Sequence, residues 1–304
     1  MRRQLCLLVV VAATLPGTAG VFPARAAFPG KNGHIVFDAT RSGSGRQIYS
    51  VGHDGRDMRK LTDFPKGSRA WQPRVSADGE SIVFVGSTNG ENDQLWLMRW
   101  DGTHQRPLTD EPRWSHGGAG FTPNGRRIVY SRCGNYVPPY STCKIVSVRR
   151  DGSDMRVIVG GRWHPNDAVV SPGGSTLAYV SDKGGYDARI WLMDTDETDR
   201  RVITADFRFI ERLSWSPDGS RIVFGGLTPQ EIKVYTIAAD GSDLQEVSEG
   251  ATFPAWSPNG EWLIYKSEAN GAFERARPDG TDVSAIVDPA AFEDTGFSDW
   301  GVAR

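Results

Sequence analysis

Only three cysteines occur among the 304 residues, and none stands in a metal-type spacing. That excludes a zinc-ribbon or zinc-finger framework. A basic excess is also missing. The formal net charge is −2 and the charges are interspersed, so no nucleic-acid-binding stripe is expected. Long apolar runs are scarce as well: one lies near the start, Leu5 to Leu15, and no second follows it. A Gly-x-Ser-x-Gly nucleophile elbow does not occur, which weakens any serine-peptidase reading. Turn formers, by contrast, are plentiful: 35 glycines and 18 prolines, beside 38% hydrophobic and 24% charged residues. This is the composition of a globular, turn-rich chain long enough to bury a sizeable core.

The one apolar run is read as part of a leader. Arg2 and Arg3 form its basic start, and Ala24-Arg25-Ala26 supplies small residues before a cleavage position. Residues 1–26 are therefore expected to be a signal peptide, with residues 27–304 the single mature domain. An uncleaved anchor is the alternative, although the run is short for a membrane span. No membrane span is expected after cleavage, and the mature chain is expected to be exported, periplasmic or secreted. Cys133 and Cys143 remain after cleavage. In an oxidising compartment a pair this close is expected to form a disulfide, contributing somewhat less than ~3 kcal/mol.

A phrase recurs along the chain: Ser76-Ala77-Asp78-Gly79, Thr122-Pro123-Asn124-Gly125, Ser171-Pro172-Gly173-Gly174, Ser216-Pro217-Asp218-Gly219 and Ser257-Pro258-Asn259-Gly260. Its spacing of roughly 40–50 residues is that of a blade repeated around an axis. Pro presets φ at the second position, Asp or Asn tolerates the third, and Gly accepts the positive φ that closes a hairpin. Strand-like runs follow each phrase, such as Ile82-Val83-Phe84 and Ile222-Val223-Phe224. A third strand comes next, then a second turn at Asp54-Gly55, Asp101-Gly102, Asp151-Gly152, Asp240-Gly241 and Asp279-Gly280, then a short fourth strand.

The groups of strands that follow number six. The first, from His34, has no strand preceding it, whereas the chain end, Phe297 to Gly301, looks like such a strand with no group after it. The expected fold is therefore all-β: a six-bladed β-propeller of four-stranded antiparallel blades, its ring closed by the C-terminal strand. Asp194-Thr195-Asp196-Glu197-Thr198 replaces Asp-Gly in the fourth group. Asp194, Asp196 and Asp199 match a calcium loop in spacing, but its central Gly and terminal Glu are missing, and a degenerate turn is expected instead. The third strand of the sixth group, Phe273 to Arg277, is unusually polar.

The phrases Leu213-Ser214-Trp215-Ser216-Pro217-Asp218-Gly219 and Pro254-Ala255-Trp256-Ser257-Pro258-Asn259-Gly260, each followed by an Ile-containing strand, resemble the PD40 (WD40-like) repeats of TolB-like β-propellers. The resemblance runs from about Gly33 to Trp300. It implies a six-bladed, exported propeller that acts as a protein-binding platform. TolB carries an α/β domain ahead of its propeller. Here the first strand begins close to the expected cleavage site, so a direct role in the Tol–Pal system is not expected.

In such a topology the short turns share one face and the long, varied connections share the other, where function is expected. The long-loop face gathers Trp71, Arg113, Trp114, His116, Tyr136, Tyr140, Arg162, Trp163 and His164, with Phe207-Arg208-Phe209 nearby. Trp, Tyr and Arg are favoured interface anchors; packing between blades is the alternative for each aromatic taken singly. Arg74, Asp167, Arg212 and Asp299, with Glu211, are expected at the mouth of a central channel. Trp96, Trp191, Trp215, Trp256 and Trp300 recur at equivalent strand positions and are read as packing residues. The leading expectation is a monomeric, non-enzymatic exported module that binds a protein or cell-envelope component, with no nucleic acid and no cofactor. The alternative is a channel-centred enzyme of the lyase or lactonase type, with or without a metal, acting on a small or sugar-derived substrate. No catalytic residues and no metal ligands are assigned; a channel-bound metal such as calcium belongs only to the alternative.

Overall fold

The computed structural model describes residues 29–88, 90–134, 143–160, 163–181, 187–205 and 207–303. The expected leader and the candidates Tyr136, Tyr140 and Arg162 lie outside them. The described chain is almost wholly strand, with one 3-10 turn at Pro289–Ala291. None of its helices is long and apolar enough to cross a membrane.

The strands follow the expected order of three long hairpin partners and a short outer strand. The first set is β1 (Asn32–Thr40), β2 (Arg46–Val51) and β3 (Arg59–Lys60). The second is β4 (Arg69–Val75), β5 (Ser81–Ser87), β6 (Gln94–Arg99) and β7 (Arg106–Pro107). Next come β8 (Trp114–Phe121), β9 (Arg127–Gly134), β10 (Cys143–Arg149) and β11 (Arg156–Val159). They are followed by β12 (Asn166–Val170), β13 (Thr176–Ser181), β14 (Arg189–Asp194) and β15 (Arg201–Val202). The fifth set is β16 (Phe209–Trp215), β17 (Arg221–Leu227), β18 (Ile232–Ala238) and β19 (Gln245–Glu249). The sixth is β20 (Ala251–Trp256), β21 (Leu263–Ser267), β22 (Phe273–Ala276) and β23 (Ser284–Val287), and the chain ends in β24 (Asp294–Val302).

Four four-stranded antiparallel sheets stand by themselves, not the expected six. The other eight strands share one sheet, in which β24-β1-β2-β3 and β4-β5-β6-β7 are joined by a single parallel bridge, Arg46 to Arg69. The bridge has a local cause. A Cβ at Gly45 would lie 2.4 Å from the Ser68 carbonyl, so only glycine lets the start of β2 come this close to the start of β4.

The C-terminal strand closes onto the first. β24 pairs antiparallel with β1, placing Trp300 opposite Ile35 and Asp299 opposite Val36. The innermost strands touch in a cycle: β4 with β8, β8 with β12, β12 with β16, β16 with β20, β20 with β24, and β24 again with β4. This is the propeller arrangement, with its core divided into clusters between neighbouring sheets. Every residue of β5 is buried, because a second strand has a sheet against each of its faces.

The recurring phrase closes by a fixed set of bonds. In Ser216 to Arg221, Gly219 donates its N–H to the Ser216 carbonyl at 2.8 Å, with φ 73° at Gly219. The Ser216 hydroxyl donates to Asp218 at 2.6 Å and accepts from the Arg221 N–H at 2.9 Å. Ser76, Thr122 and Ser257 repeat this arrangement. The hydroxyl that opens the phrase therefore replaces a missing ladder bond, a role beyond the φ preferences of Pro and Gly. The degenerate turn keeps the second-turn geometry: Thr198 donates to Asp196 at 3.1 Å, and Glu197 takes φ 72° where the other turns carry glycine.

Candidate binding site at the channel mouth

Each of β4, β8, β12, β16 and β20 carries a bulge. At each bulge one residue is left-handed: Gln72 (φ 52°), Gly118 (56°), Asp167 (46°), Arg212 (56°) and Phe253 (55°). All five stand the same distance ahead of the turn that follows. Left-handed backbone at a non-glycine residue costs on the order of 1–3 kcal/mol and persists only where its surroundings over-determine it. Here neighbouring strands supply the restraint. Asp38 accepts from the N–H groups of Gln72 and Phe297 at 3.0 and 3.1 Å. The Gln72 amide oxygen accepts from Gly118, the Ser131 hydroxyl from Asp167, and Asp167 from Leu213. The bulges of β4, β8, β12 and β16 are thus each fastened by a side chain reaching from another strand of the ring.

Below the mouth two arginines bar the channel. Arg74 donates to the Leu213 carbonyl at 2.8 Å, while Arg212 donates to the Pro73 and Ser298 carbonyls at 2.7 Å. Their strands, β4 and β16, lie on opposite sides of the cycle of inner strands, so the pair braces the ring across its width. Asp299 lies 3.5 Å and Asp167 4.0 Å from the Arg74 guanidinium. Burial, with the Arg74 charge beside it, lowers Arg212 to about 9. Burial likewise raises Asp38 to about 6, against the pull of Arg46.

Above this brace opens a cavity of ≈290 Å3. Its walls include Trp71, Gln72, His116, Asp167, Phe209, Glu211, Arg212 and Phe297. Phe297 packs against Phe253 at 4.1 Å and against Trp71 at 5.7 Å, and Arg212 lies over it at 5.4 Å. Burial pushes the Glu211 carboxyl up to about 8, helped by the Asp167 charge, so it is mostly protonated at neutral pH. Trp71 Nε1, Glu211 Oε1 and Arg212 Nε are buried without a hydrogen-bond partner. Phe209, at 50% exposure, stands at the rim.

His116 is buried on the same wall. Its ring meets Thr109 at 2.9 Å and Glu111 at 3.1 Å; Glu111 takes a bidentate contact from Arg132, whose guanidinium covers the Trp114 ring at 3.6 Å. Burial lowers His116 to about 4, against the Glu111 charge, so the ring is neutral at physiological pH. Trp114 and His116 thus share one network, although only His116 lines the cavity. Arg113 is exposed beside them.

The remaining candidates divide by position. Trp71, His116, Asp167 and Arg212 come together at the mouth; Arg74 and Asp299 lie deeper, on a small cavity on the far side of the brace. Trp163 lines a different cavity, against Trp191. His164, in the loop before β12, is left-handed at φ 39°. Cys133 and Cys143 face each other across β9 and β10 and form a disulfide, with Cys133 on the cavity wall. Among the described residues, no group of three or more His, Cys, Asp or Glu is placed to hold a metal ion.

No protein-family model matches the chain. An uncharacterized protein of Agrobacterium fabrum is 28% identical over 141 residues, which is 44% of this chain and 45% of that one. An uncharacterized peptidase of Bacillus subtilis is 24% identical over 157 residues, 39% of this chain and 24% of the peptidase. The chain thus spans less than half the length of these curated relatives. Among solved structures, TolB from Acinetobacter baumannii superposes with a TM-score of 0.77 at 17% identity, covering 91% of this chain and 68% of TolB. A propeller in a nidogen/laminin complex gives 0.70 at 12% identity, over 88% of this chain and 98% of the other. An oligogalacturonate lyase in complex with manganese gives 0.59 at 15% identity, over 87% and 77%. The fold is that of the TolB-like β-propellers.

The sequence does not point to Gln72, Phe297 or Asp38. A usable signal exists for Gln72, which occupies the fixed place ahead of each turn where the inner strand bulges. Asp38 is harder to find, because its partners Gln72 and Phe297 come from two other strands far apart in the chain.

Proposed function

We propose that this chain is a six-bladed TolB-like propeller of the PD40-repeat kind, exported behind a leader at residues 1–26, that binds a protein or cell-envelope component through its long-loop face. Counting the eight-stranded sheet as two blades gives the six, since one bridge alone joins its halves. Export fits the Cys133–Cys143 disulfide, because such bonds persist in oxidising compartments. The observation that carries the binding reading is the mouth cavity. Its aromatic wall of Trp71, Phe209 and Phe297 is combined with buried polar atoms that lack partners, which a bound segment would satisfy. TolB and the nidogen/laminin propeller have the same fold, and the second is seen in a complex. The protein acts as a monomer, without cofactor or catalysis. The test is affinity capture from the native secretome with Trp71→Ala and Phe209→Ala as comparators. Loss of the captured partner by both variants, with unchanged thermal transitions, supports the reading; equal capture by wild type and variants overturns it.

A second reading rests on Glu211 beside Asp167. A carboxyl held protonated to about pH 8 beside a second carboxyl on the same cavity wall is the arrangement of a general acid, and a lyase shares the fold. In that reading the channel mouth acts on a small or sugar-derived substrate. Metal analysis of the purified protein separates the two: a stoichiometric metal lost on Asp167→Asn favours the enzyme, and its absence favours the binding module.

A further inference from the structure

Four of the six strand sets carry an aromatic pair across their second and third strands: Phe37 with Tyr49, Phe84 with Trp96, Tyr179 with Trp191, and Phe224 with Tyr235. All four pairs are stacked, with interplanar angles of 17–25°. In three of them a phenyl ring from a connecting loop is set edge-on over both members. Phe292 lies 5.6 and 5.0 Å from Phe37 and Tyr49, Phe64 lies 6.0 and 5.1 Å from Phe84 and Trp96, and Phe207 lies 5.4 and 5.3 Å from Phe224 and Tyr235.

The fourth pair breaks the pattern. Its loop aromatic is Trp163, which lies beside Trp191 at 6.4 Å and a 34° tilt and is 47% exposed. The reason is one residue on β13. Two positions beyond the second-strand aromatic, two of the three filled sets have Gly86 and Gly226, where an added Cβ would come within 3.1 Å of the Phe64 ring or 2.9 Å of the Phe207 ring, and the third has the small Ala39. The equivalent residue here is Ser181, whose side chain occupies that room and donates its hydroxyl to the Trp163 carbonyl. Where the other sheets hold a phenyl ring, this one holds a cavity of ≈460 Å3, lined by Trp163, Tyr179, Ser181, Trp191, Pro165 and Arg200.

We infer that this cavity binds a small aromatic carboxylic acid, whose ring takes the place that Phe64, Phe207 and Phe292 fill elsewhere and whose carboxylate meets Arg200. The molecule itself specifies the ring by placing a phenyl group on the three equivalent pairs. The charge follows from Arg200, an exposed cation at the cavity with no carboxylate partner among the described residues. Its charge also reaches the Tyr179 hydroxyl, where it opposes the upward push of burial. Edge-to-face contacts of a ring with such a pair contribute ~0.5–1.5 kcal/mol beyond burial, and a cation–carboxylate contact adds direction. This site is separate from the channel mouth and does not rest on the reading given there.

The test titrates the full chain with 3-phenylpropionate and follows tryptophan fluorescence and calorimetric heat. Saturable binding is expected, weakened by about tenfold for 3-phenylpropionamide and by a similar factor in Arg200→Gln. The double variant Ser181→Gly with Trp163→Phe rebuilds the internal plug; it is expected to abolish binding while keeping or raising the thermal transition. Three results would each overturn the assignment: no saturable binding of the acid, equal binding by wild type and the plugged variant, or binding of Gly-Gly-Phe more than about tenfold tighter, which would assign the site to a peptide end.

Discussion

At one end of the channel the turns repeat the same hydrogen bonds, hydroxyl to Asp or Asn and glycine N–H to carbonyl. At the other end the connections vary: one is crossed by a disulfide, one carries Trp163, and one brings Phe209 to the rim. At the repeated end the opening hydroxyl and the glycine N–H are paired within each of these turns. The varied end leaves buried polar atoms without partners and aromatic surface in the open. The contrast fits the proposal that the most regular part of this sequence is scaffold and that binding lies where regularity stops.

The comparison can be broken most forcefully at the closure. Deleting residues 294–304 removes β24, the buried Trp300 and its bond to the Gly33 carbonyl. Loss of such a tryptophan alone costs about 3–5 kcal/mol. The thermal transition should fall by more than about 10 °C or vanish; an unchanged transition would mean that the ring holds without its clasp. Next in size is the brace. Arg212→Met leaves the buried Asp299 and the half-buried Asp167 with less compensation and frees the Pro73 and Ser298 carbonyls, for an expected loss of about 3–5 kcal/mol in denaturant melts. A loss below about 1 kcal/mol would show that the brace contributes little net stability.

A finer probe uses pH at the mouth. Folded Glu211 keeps its proton to about 8, whereas the ordinary value is 4.5. Its contribution is therefore complete below 4.5 and is lost as pH rises toward about 8. Glu211→Gln should remove that decline, so wild type and variant should diverge between these limits in denaturant midpoints measured at each pH. Parallel profiles would place the carboxyl in water. His116 works in the opposite sense: its contribution is present above 6.5 and is lost as pH falls toward about 4. Its loss belongs to the acid limb of the same profiles. Smallest of all is a repair on the repeated end. Glu197→Gly restores the residue the left-handed position prefers and should stabilise by about 1 kcal/mol, read as a raised denaturant midpoint.

How much of this was legible follows the same division. The turns, the strand order and the return of Trp300 to the first strand could be read from spacing, because each is a local pattern repeated along the chain. The expectation of six separate sheets met the Arg46–Arg69 bridge, which depends on the single close approach at Gly45. Trp191, read only as a packing residue, also forms a cavity wall, because Ser181 displaces the ring that would have covered it. The Arg74 and Arg212 brace was beyond reach: both residues were read as polar groups at a mouth, and nothing in their spacing tells that each reaches a carbonyl on the far side of the ring. Local bonds leave a trace in sequence, whereas contacts across the channel do not.

The central claim is that recognition belongs to the varied end. Capture by immobilised protein should be compared between a mouth variant, Trp71→Ala with Phe209→Ala, and a turn variant, Glu80→Lys with Arg126→Glu, both checked for an unchanged thermal transition. Binding lost in the mouth variant and kept in the turn variant is the result this account predicts. Binding lost in the turn variant and kept in the mouth variant would contradict it.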